Sequence, residues 1–153
     1  MSNYRATILW HRNNDYFLEN EYSRGHTWQF SGGTEVLASA SQHIVPVPWS
    51  KPSQVDPEEA FVASLASCHM LFFLSFASKQ GYLVETYTDK AVGTLGRDNQ
   101  GKMSMTEVCL HPRIEFGGHK TPDSGVIESL HHAAHEHCFI ANSVKTAVRI
   151  LPG

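Results

Sequence analysis

The sequence predicts an α+β fold in one domain, residues 1–153, and three observations lead to that prediction. Short segments of alternating apolar residues fill the first fifty positions, and a long apolar segment with helix start and stop signals follows them. A second series of strands, a second helix and a last strand complete the chain. Because strands and helices do not alternate regularly, a doubly wound parallel sheet is excluded and α+β is favoured.

The N-terminal part is predicted to be a β meander. Residues 4–10 alternate, residues 16–18 are apolar, and residues 26–30 precede the pair Gly32-Gly33, which suits a turn. Three prolines between Ile44 and Pro52 then interrupt regular structure.

A long central helix is predicted over residues 57–80. Asp56 can cap its first turn, Pro57 suits the first helical position, and Glu59 stands where a capping box places its carboxylate. Gly81 supplies the stop signal just beyond the last turn.

The apolar residues of this helix point to all sides, so we expect the helix to be buried all round. A chain of this size has difficulty enclosing such a helix alone, which predicts that a second subunit supplies part of the cover. The apolar positions are Phe61, Val62, Leu65, Ala66, Cys68, Leu71, Phe72, Phe73, Leu74 and Phe76.

The second half is predicted to contain a β hairpin. Its strands are Val84–Arg97 and Lys102–Phe116, joined by a polar turn that ends in Gly101. The apolar positions of the second strand shift from odd to even numbers, which indicates a bulge near Glu107. A second helix is predicted from about Thr121 to His137, and residues 143–151 form a closing strand.

Charge and composition limit the class of partner and the location. The net charge is −3 and the basic residues are scattered, so we expect no nucleic-acid partner. We find neither a secretory leader nor an uninterrupted apolar stretch of membrane-spanning length, so we expect no membrane association. Three cysteines are too few for a disulfide-stapled secreted domain, which predicts a cytoplasmic protein with reduced thiols.

Two of the cysteines stand where redox chemistry is possible. Cys68 lies in the middle of the central helix, where a buried cysteine can equally be a small hydrophobic residue. Cys138 follows the second helix, at a break where a thiol can be exposed and mobile. Two such thiols fit a peroxidatic and resolving pair.

A peroxidatic thiol needs a nearby cation that favours its thiolate. Arg24 is the best candidate, since the neighbouring Gly25 permits a tight corner that aims the guanidinium inward. Arg12 is the alternative, because it also lies in an early loop. A lone loop arginine is more commonly a solvated one.

The motif Asp56-Pro57-Glu58-Glu59, followed ten residues after Glu58 by Cys68 and later by Cys138-Phe-Ile-Ala-Asn-Ser, resembles the OsmC/Ohr superfamily. These are the osmotically inducible protein C and organic hydroperoxide resistance proteins. Their pattern is Asn-Pro-Glu-Glu/Gln, a cysteine ten residues on, and later Cys-Pro-x-Ser-Asn. Two departures are Asp56 in place of Asn and Phe139 in place of Pro.

The resemblance implies a role for each site residue. The peroxidatic cysteine would be Cys68, the resolving cysteine Cys138, the thiolate-binding arginine Arg24, and the acid that orients this arginine Glu58. It also implies an intertwined homodimer with sites at the subunit interface, no cofactor, and a dithiol reductant such as dihydrolipoamide or a lipoylated protein.

Glu58 and Cys68 are ten residues apart, which is ~15 Å on a straight helix and too far for contact. Either the helix breaks, or Glu58 acts through the arm of Arg24, or it reaches the site of the other subunit. Glu58 could also be a first-turn carboxylate favoured by the helix dipole.

Histidines are concentrated between His131 and His137. His131 and His135 share a helix face with Cys138, so a metal site is chemically possible. We favour a solvated, partly interfacial histidine face and no metal. Cys109, on the hairpin, has no neighbour in sequence that singles it out for catalysis.

We therefore expect a thiol-dependent peroxidase acting on a small organic hydroperoxide, because the apolar residues around Cys68 favour alkyl groups over hydrogen peroxide. The alternative is a non-enzymatic, stress-related protein that binds hydrophobic ligands on the same dimeric fold.

Overall fold

The computed structural model describes residues 1–152 and shows an α+β chain, which confirms the predicted fold class. Backbone contacts group the residues into two compact units, one ending at Ala60 and the other beginning at Phe61.

The first unit contains the predicted meander. Its three antiparallel strands pair in chain order and are β1 (Ala6–Leu9), β2 (His26–Phe30) and β3 (Glu35–Ala38). Gly33 adopts a φ of +94° in the turn between β2 and β3, a conformation that residues with a side chain rarely adopt. The apolar segment around Phe17 is a 3-10 turn rather than the predicted strand.

Helix α1 (Pro57–Lys79) ends one residue earlier than predicted. Asp56 accepts the backbone N–H of Glu59 at 2.8 Å, so the predicted cap is confirmed. Gly81 follows the helix with a φ of +82°. The helix is continuous, so the alternative of a break between Glu58 and Cys68 is wrong.

Only one stripe of α1 is buried within a single chain. Its members follow one another at intervals of four residues and are Leu65, His69, Phe73 and Ala77. Leu71, on another side, is 59% exposed. The expectation of burial all round is therefore wrong for one chain, because one chain covers one helical face; cover by a second subunit stays a prediction.

The predicted long hairpin is divided into four strands. These are β4 (Leu83–Asp89), β5 (Val92–Arg97), β6 (Met103–Leu110) and β7 (Pro112–Gly117). Strand β4 pairs with β7, and β5 pairs with β6 in another sheet. The Asp89 carboxylate accepts the N–H of His111 at 2.7 Å, so this N–H is not available to a neighbouring strand. The next residue, Pro112, has no N–H to donate. The ladder of backbone hydrogen bonds therefore breaks between β6 and β7.

The predicted bulge is present. Thr94 pairs with Glu107 whereas Leu95 pairs with Met105, which leaves Thr106 as the extra residue. The turn at the end of β5 is confirmed too, since the N–H of Gly101 donates to the carbonyl of Asp98.

Helix α2 (Ser124–His137) begins three residues later than predicted, with Asp123 as its cap. The closing strand, β8 (Ala147–Ile150), is shorter than predicted and lies parallel to β6. This pairing produces the sheet order β5-β6-β8.

Two apolar clusters form the core of the second unit. In one, Phe73 and Ala77 of α1 pack against Leu130 and Ala134 of α2. In the other, Leu65 of α1 packs against β6, where its buried partners are Val108 and Leu110. Helix α1 thus stabilises both clusters and fixes the face of α2 that meets it.

Among residues 1–152, α1 is one helix whose length and composition would allow it to cross a membrane. This observation is weak evidence for a membrane protein, because the core helix of a soluble protein meets the same criterion. The packing of Leu65 and Phe73 into the two clusters is that of a core helix.

Candidate functional site

Cys68 and Cys138 lie side by side in the second unit. Helix α1 carries Cys68, which is half-buried, and Cys138, which is 1% exposed, follows directly after α2. The side chain of Cys68 lies close enough to Cys138 to affect the pKa of its thiol, and both cysteines are free thiols. The fold therefore brings together two thiols that are seventy residues apart in the sequence.

The surroundings of Cys138 keep its thiol protonated at neutral pH. Burial, followed by the influence of the neighbouring Cys68 side chain, raises the pKa of Cys138 to about 11, although the N–H of Ala141 donates to its sulfur and opposes this rise. The expectation of an exposed Cys138 is wrong, because the residue is 1% exposed. After α2 the carbonyl of Cys138 accepts the N–H of Asn142 at 3.0 Å, which closes a turn that begins at Cys138.

The segment after α2 is a tight hydrogen-bonded turn. The Ser143 hydroxyl donates to the carbonyl of Phe139 at 2.6 Å, and the Asn142 amide donates to the carbonyl of Glu136 at 3.2 Å. Asn142 and Ser143 thus stabilise the backbone on both sides of Cys138. The sequence motif contains both residues, but their bonding partners are visible only in the structure.

Arg24 and Glu58 belong to the first unit. The guanidinium of Arg24 donates to the carbonyl of Tyr22 at 2.6 Å and to the side chain of Asn20 at 2.9 Å, and it lies 3.5 Å from the centre of the Tyr22 ring. Glu58 is half-buried in the first turn of α1. Their roles beside Cys68 stay predictions. Arg12 donates to the carbonyl of Asp15.

A buried histidine pair was not predicted. A ring nitrogen of His69 lies 3.0 Å from one of His131, and the two rings are stacked with 8° between their planes. Burial, and then the rings of His131 and His135, lower the pKa of His69 to about 4. Burial lowers the pKa of His131 to about 4 as well.

This pair corrects part of the expectation of a solvated, partly interfacial histidine face on α2. His132 is exposed, but His131 is 3% exposed and His135 is half-buried. The spacing in the sequence could have indicated that His131 is buried. His131 lies four residues before His135 and one helical turn before Ala134, so it shares the face of α2 that meets α1. Within residues 1–152 no group of three or more potential ligands is arranged to hold a metal ion.

Cys109 has different surroundings from the other two thiols. It donates to Glu107 at 3.2 Å, and Glu107 also pairs with Arg149 at 2.8 Å. The hydrogen bond with Glu107, and then burial, raise the pKa of Cys109. A protonated thiol is a poor nucleophile, so the structure offers no reason to assign catalysis to Cys109.

The protein thus has an α+β fold with two neighbouring free thiols, one on α1 and one just after α2. These features place it in the class of proteins with a dithiol site. The sequence matches the family of OsmC-like proteins over residues 50–151, and the chain belongs to that family. This confirms the resemblance drawn from the motifs around Cys68 and Cys138. A comparison with curated protein sequences finds no match.

Solved structures agree with this assignment. An OsmC-like protein of unknown function from Vibrio cholerae is 55% identical, with full coverage of both chains and a TM-score of 0.99. An organic hydroperoxide resistance protein from Legionella pneumophila is 17% identical over 99% of this chain and 97% of its own, with a TM-score of 0.69. One from Bacillus subtilis is 16% identical over 99% and 98%, with a TM-score of 0.68. These two distant relatives show the shared fold.

Proposed function

We propose that this protein is a thiol peroxidase that reduces organic hydroperoxides through Cys68 and Cys138. The observation that carries the proposal is the pair of neighbouring free thiols, one on α1 and one just after α2. Membership of the OsmC-like family, which shares its fold with organic hydroperoxide resistance proteins, supports the reaction class.

In the first step the Cys68 thiolate attacks the distal oxygen of the hydroperoxide. A sulfur–oxygen bond forms, the oxygen–oxygen bond breaks, and the departing alkoxide takes a proton from water to become an alcohol. Cys68 is left as a sulfenic acid. Arg24 stabilises the thiolate and the charge on the departing oxygen, and Glu58 orients Arg24, either within the subunit or from its partner.

In the second step the Cys138 thiol condenses with the sulfenic acid. The products are a Cys68–Cys138 disulfide and one molecule of water. The raised pKa of Cys138 supports this division of labour, because a thiol that is protonated at neutral pH is unsuited to the first attack, which leaves that step to Cys68. In the condensation the proton of Cys138 leaves with the hydroxyl of the sulfenic acid as water.

A dithiol such as dihydrolipoamide, free or attached to a protein, then reduces the disulfide and is itself oxidised. The working form is a cytoplasmic homodimer, in which a second copy covers the half-exposed sides of α1. Sedimentation at micromolar concentration tests the dimer: a stable, folded monomer would contradict it.

The central experiment mixes the reduced protein with one equivalent of cumene hydroperoxide and counts the remaining thiols. We expect two of the three thiols to disappear and peptide mapping to find the Cys68–Cys138 disulfide. Cys68→Ser should abolish turnover, whereas Cys138→Ser should consume one equivalent and stop as a sulfenic or sulfinic acid. Cys109→Ser is the matched control and should react like the parent.

The assignment of Arg24 is tested with Arg12 as its control. Arg24→Ala should slow the reaction with cumene hydroperoxide, and Glu58→Ala should slow it less, because Glu58 acts through Arg24. If Arg12→Ala is slow while Arg24→Ala reacts like the parent, the arginine assignment is wrong. If no thiol is consumed by the parent, the binding of hydrophobic ligands becomes the better explanation of the fold.

A further inference from the structure

Phe139, the residue next to Cys138, combines high exposure with a specific aromatic contact. Its side chain is 71% exposed, yet its ring meets the ring of Phe72 edge to face, with 5.0 Å between centres and 90° between planes. Edge-to-face pairs stabilise beyond the area that they bury. An exposed aromatic ring beside a buried thiol thus has a defined contact on α1.

The residue on the other side of Cys138 makes a matching contact. The ring of His137 meets that of Phe76 at 5.2 Å and 70°, and it lies 6.3 Å from Phe72. Phe72 and Phe76 are themselves 6.1 Å apart. We call these four residues, Phe72, Phe76, His137 and Phe139, the aromatic clamp.

The aromatic clamp lies on the face of α1 that carries Cys68. Cys68, Phe72 and Phe76 follow one another at intervals of four residues, and residues four apart on a helix share a face. Of the two residues that flank Cys138, Phe139 therefore contacts α1 one turn beyond Cys68, at Phe72, and His137 contacts α1 two turns beyond Cys68, at Phe76. The turn after α2 links the position of Phe139 to that of Cys138. The Ser143 hydroxyl donates to the carbonyl of Phe139, and the N–H of Asn142 donates to the carbonyl of Cys138.

We propose that Phe139 is a positioning residue for the resolving thiol, holding Cys138 beside Cys68 through its edge-to-face contact with Phe72. The proposal rests on the proposed function in taking Cys138 as the resolving thiol. In the condensation, the Cys138 sulfur bonds to the Cys68 sulfur, the sulfur–oxygen bond breaks, and the hydroxyl leaves with the thiol proton as water. Fixing the two sulfurs beforehand raises their effective concentration.

The test measures the equilibrium between the Cys68–Cys138 pair and oxidised and reduced dithiothreitol, in Cys109→Ser protein. This measurement needs no peroxide. Phe139→Ala should lower the effective concentration of the two thiols roughly two- to tenfold, the range expected for loss of an aromatic pair. Phe72→Ala should have at least as large an effect, because it also removes the contact with His137. The double variant should lose little more than Phe72→Ala alone, because the contact between Phe72 and Phe139 is already lost in that variant.

Two variants separate positioning from general damage. Phe139→Tyr keeps the edge-to-face ring and should restore the parent equilibrium. Val92→Ala removes an exposed apolar residue from β5, outside α1 and the aromatic clamp, and should leave the equilibrium unchanged. An equilibrium unaltered in Phe139→Ala, no recovery in Phe139→Tyr, or no disulfide in the parent would each overturn the proposal.

The peroxide reaction distinguishes the two levels of inference. With one equivalent of cumene hydroperoxide, Phe139→Ala should accumulate more dimedone-trapped sulfenic acid at Cys68 than the parent. If the parent consumes no peroxide while Phe139→Ala still weakens the disulfide, peroxidase activity fails and the positioning role stands. If the parent turns over and Phe139→Ala behaves identically in both assays, the positioning role fails and peroxidase activity stands.

Discussion

The buried pair of His69 and His131 should make the second unit sensitive to mild acid. Both rings are neutral in the folded chain, and their pKa values of about 4 lie below the ordinary value of 6.5. As the pH falls through 6.5, the unfolded chain takes up two protons that the folded chain does not. Stability is therefore lost between about pH 6.5 and pH 4, because the unfolded state binds more protons.

The magnitude follows from the difference in pKa. A depression of this size corresponds to about 3 kcal/mol per histidine by pH 4, at ~1.4 kcal/mol per pKa unit. The two rings together reach about 6 kcal/mol, which is comparable with the whole free energy of unfolding of an ordinary domain. Near pH 5 the slope approaches ~2.7 kcal/mol per pH unit, the value for two protons.

The double variant His69→Leu/His131→Leu removes both titrating rings and leaves no orphaned partner. Urea unfolding at pH 7, 6, 5 and 4, followed by circular dichroism, should show that this variant lacks most of the acid-induced loss seen in the parent. The control is His119→Leu/His132→Leu, which removes two exposed histidines and should follow the parent. Parallel losses in the His69/His131 variant and the parent would refute the reasoning.

Two further predictions concern local packing. Gly93→Ala should lower the free energy of unfolding by about 1–3 kcal/mol, because a Cβ at Gly93 would come within 2.5 Å of a Val62 methyl carbon. The control is Gly96→Ala on the same strand, which should unfold like the parent because its new Cβ would meet nothing closer than 3.8 Å. Asp56→Ala should cost about 1 kcal/mol through loss of the α1 cap, and Asp56→Asn, which can still accept the N–H of Glu59, should recover most of it in the same urea titration.

The parts of the fold that the sequence predicted well depend on neighbouring residues. The cap at Asp56 and the turn ending in Gly101 are formed by groups within four residues of each other, so their chemistry is visible in a short stretch of sequence. The bulge at Thr106 was visible as a change in the alternation of one strand. For the same reason the two helices were predicted within a few residues of their observed ends.

The division of the hairpin could not be predicted in this way. It depends on the Asp89 carboxylate accepting the N–H of His111, twenty-two residues away. The alternation of apolar and polar residues indicates which face of a strand a residue occupies. It does not reveal that a side chain will accept a backbone N–H in place of the carbonyl of a neighbouring strand. The two predicted strands therefore became four.

The sequence by itself determined the family, the positions of the two candidate redox cysteines and the spacing from Glu58 to Cys68, because these are matters of residue type and count. Only the tertiary structure decided that Cys138 is buried beside Cys68 and that His69 stacks on His131. Both depend on which faces of α1 and α2 meet. That choice is made by the joint packing of residues far apart in the chain, such as Phe73 with Leu130, and no single segment contains it.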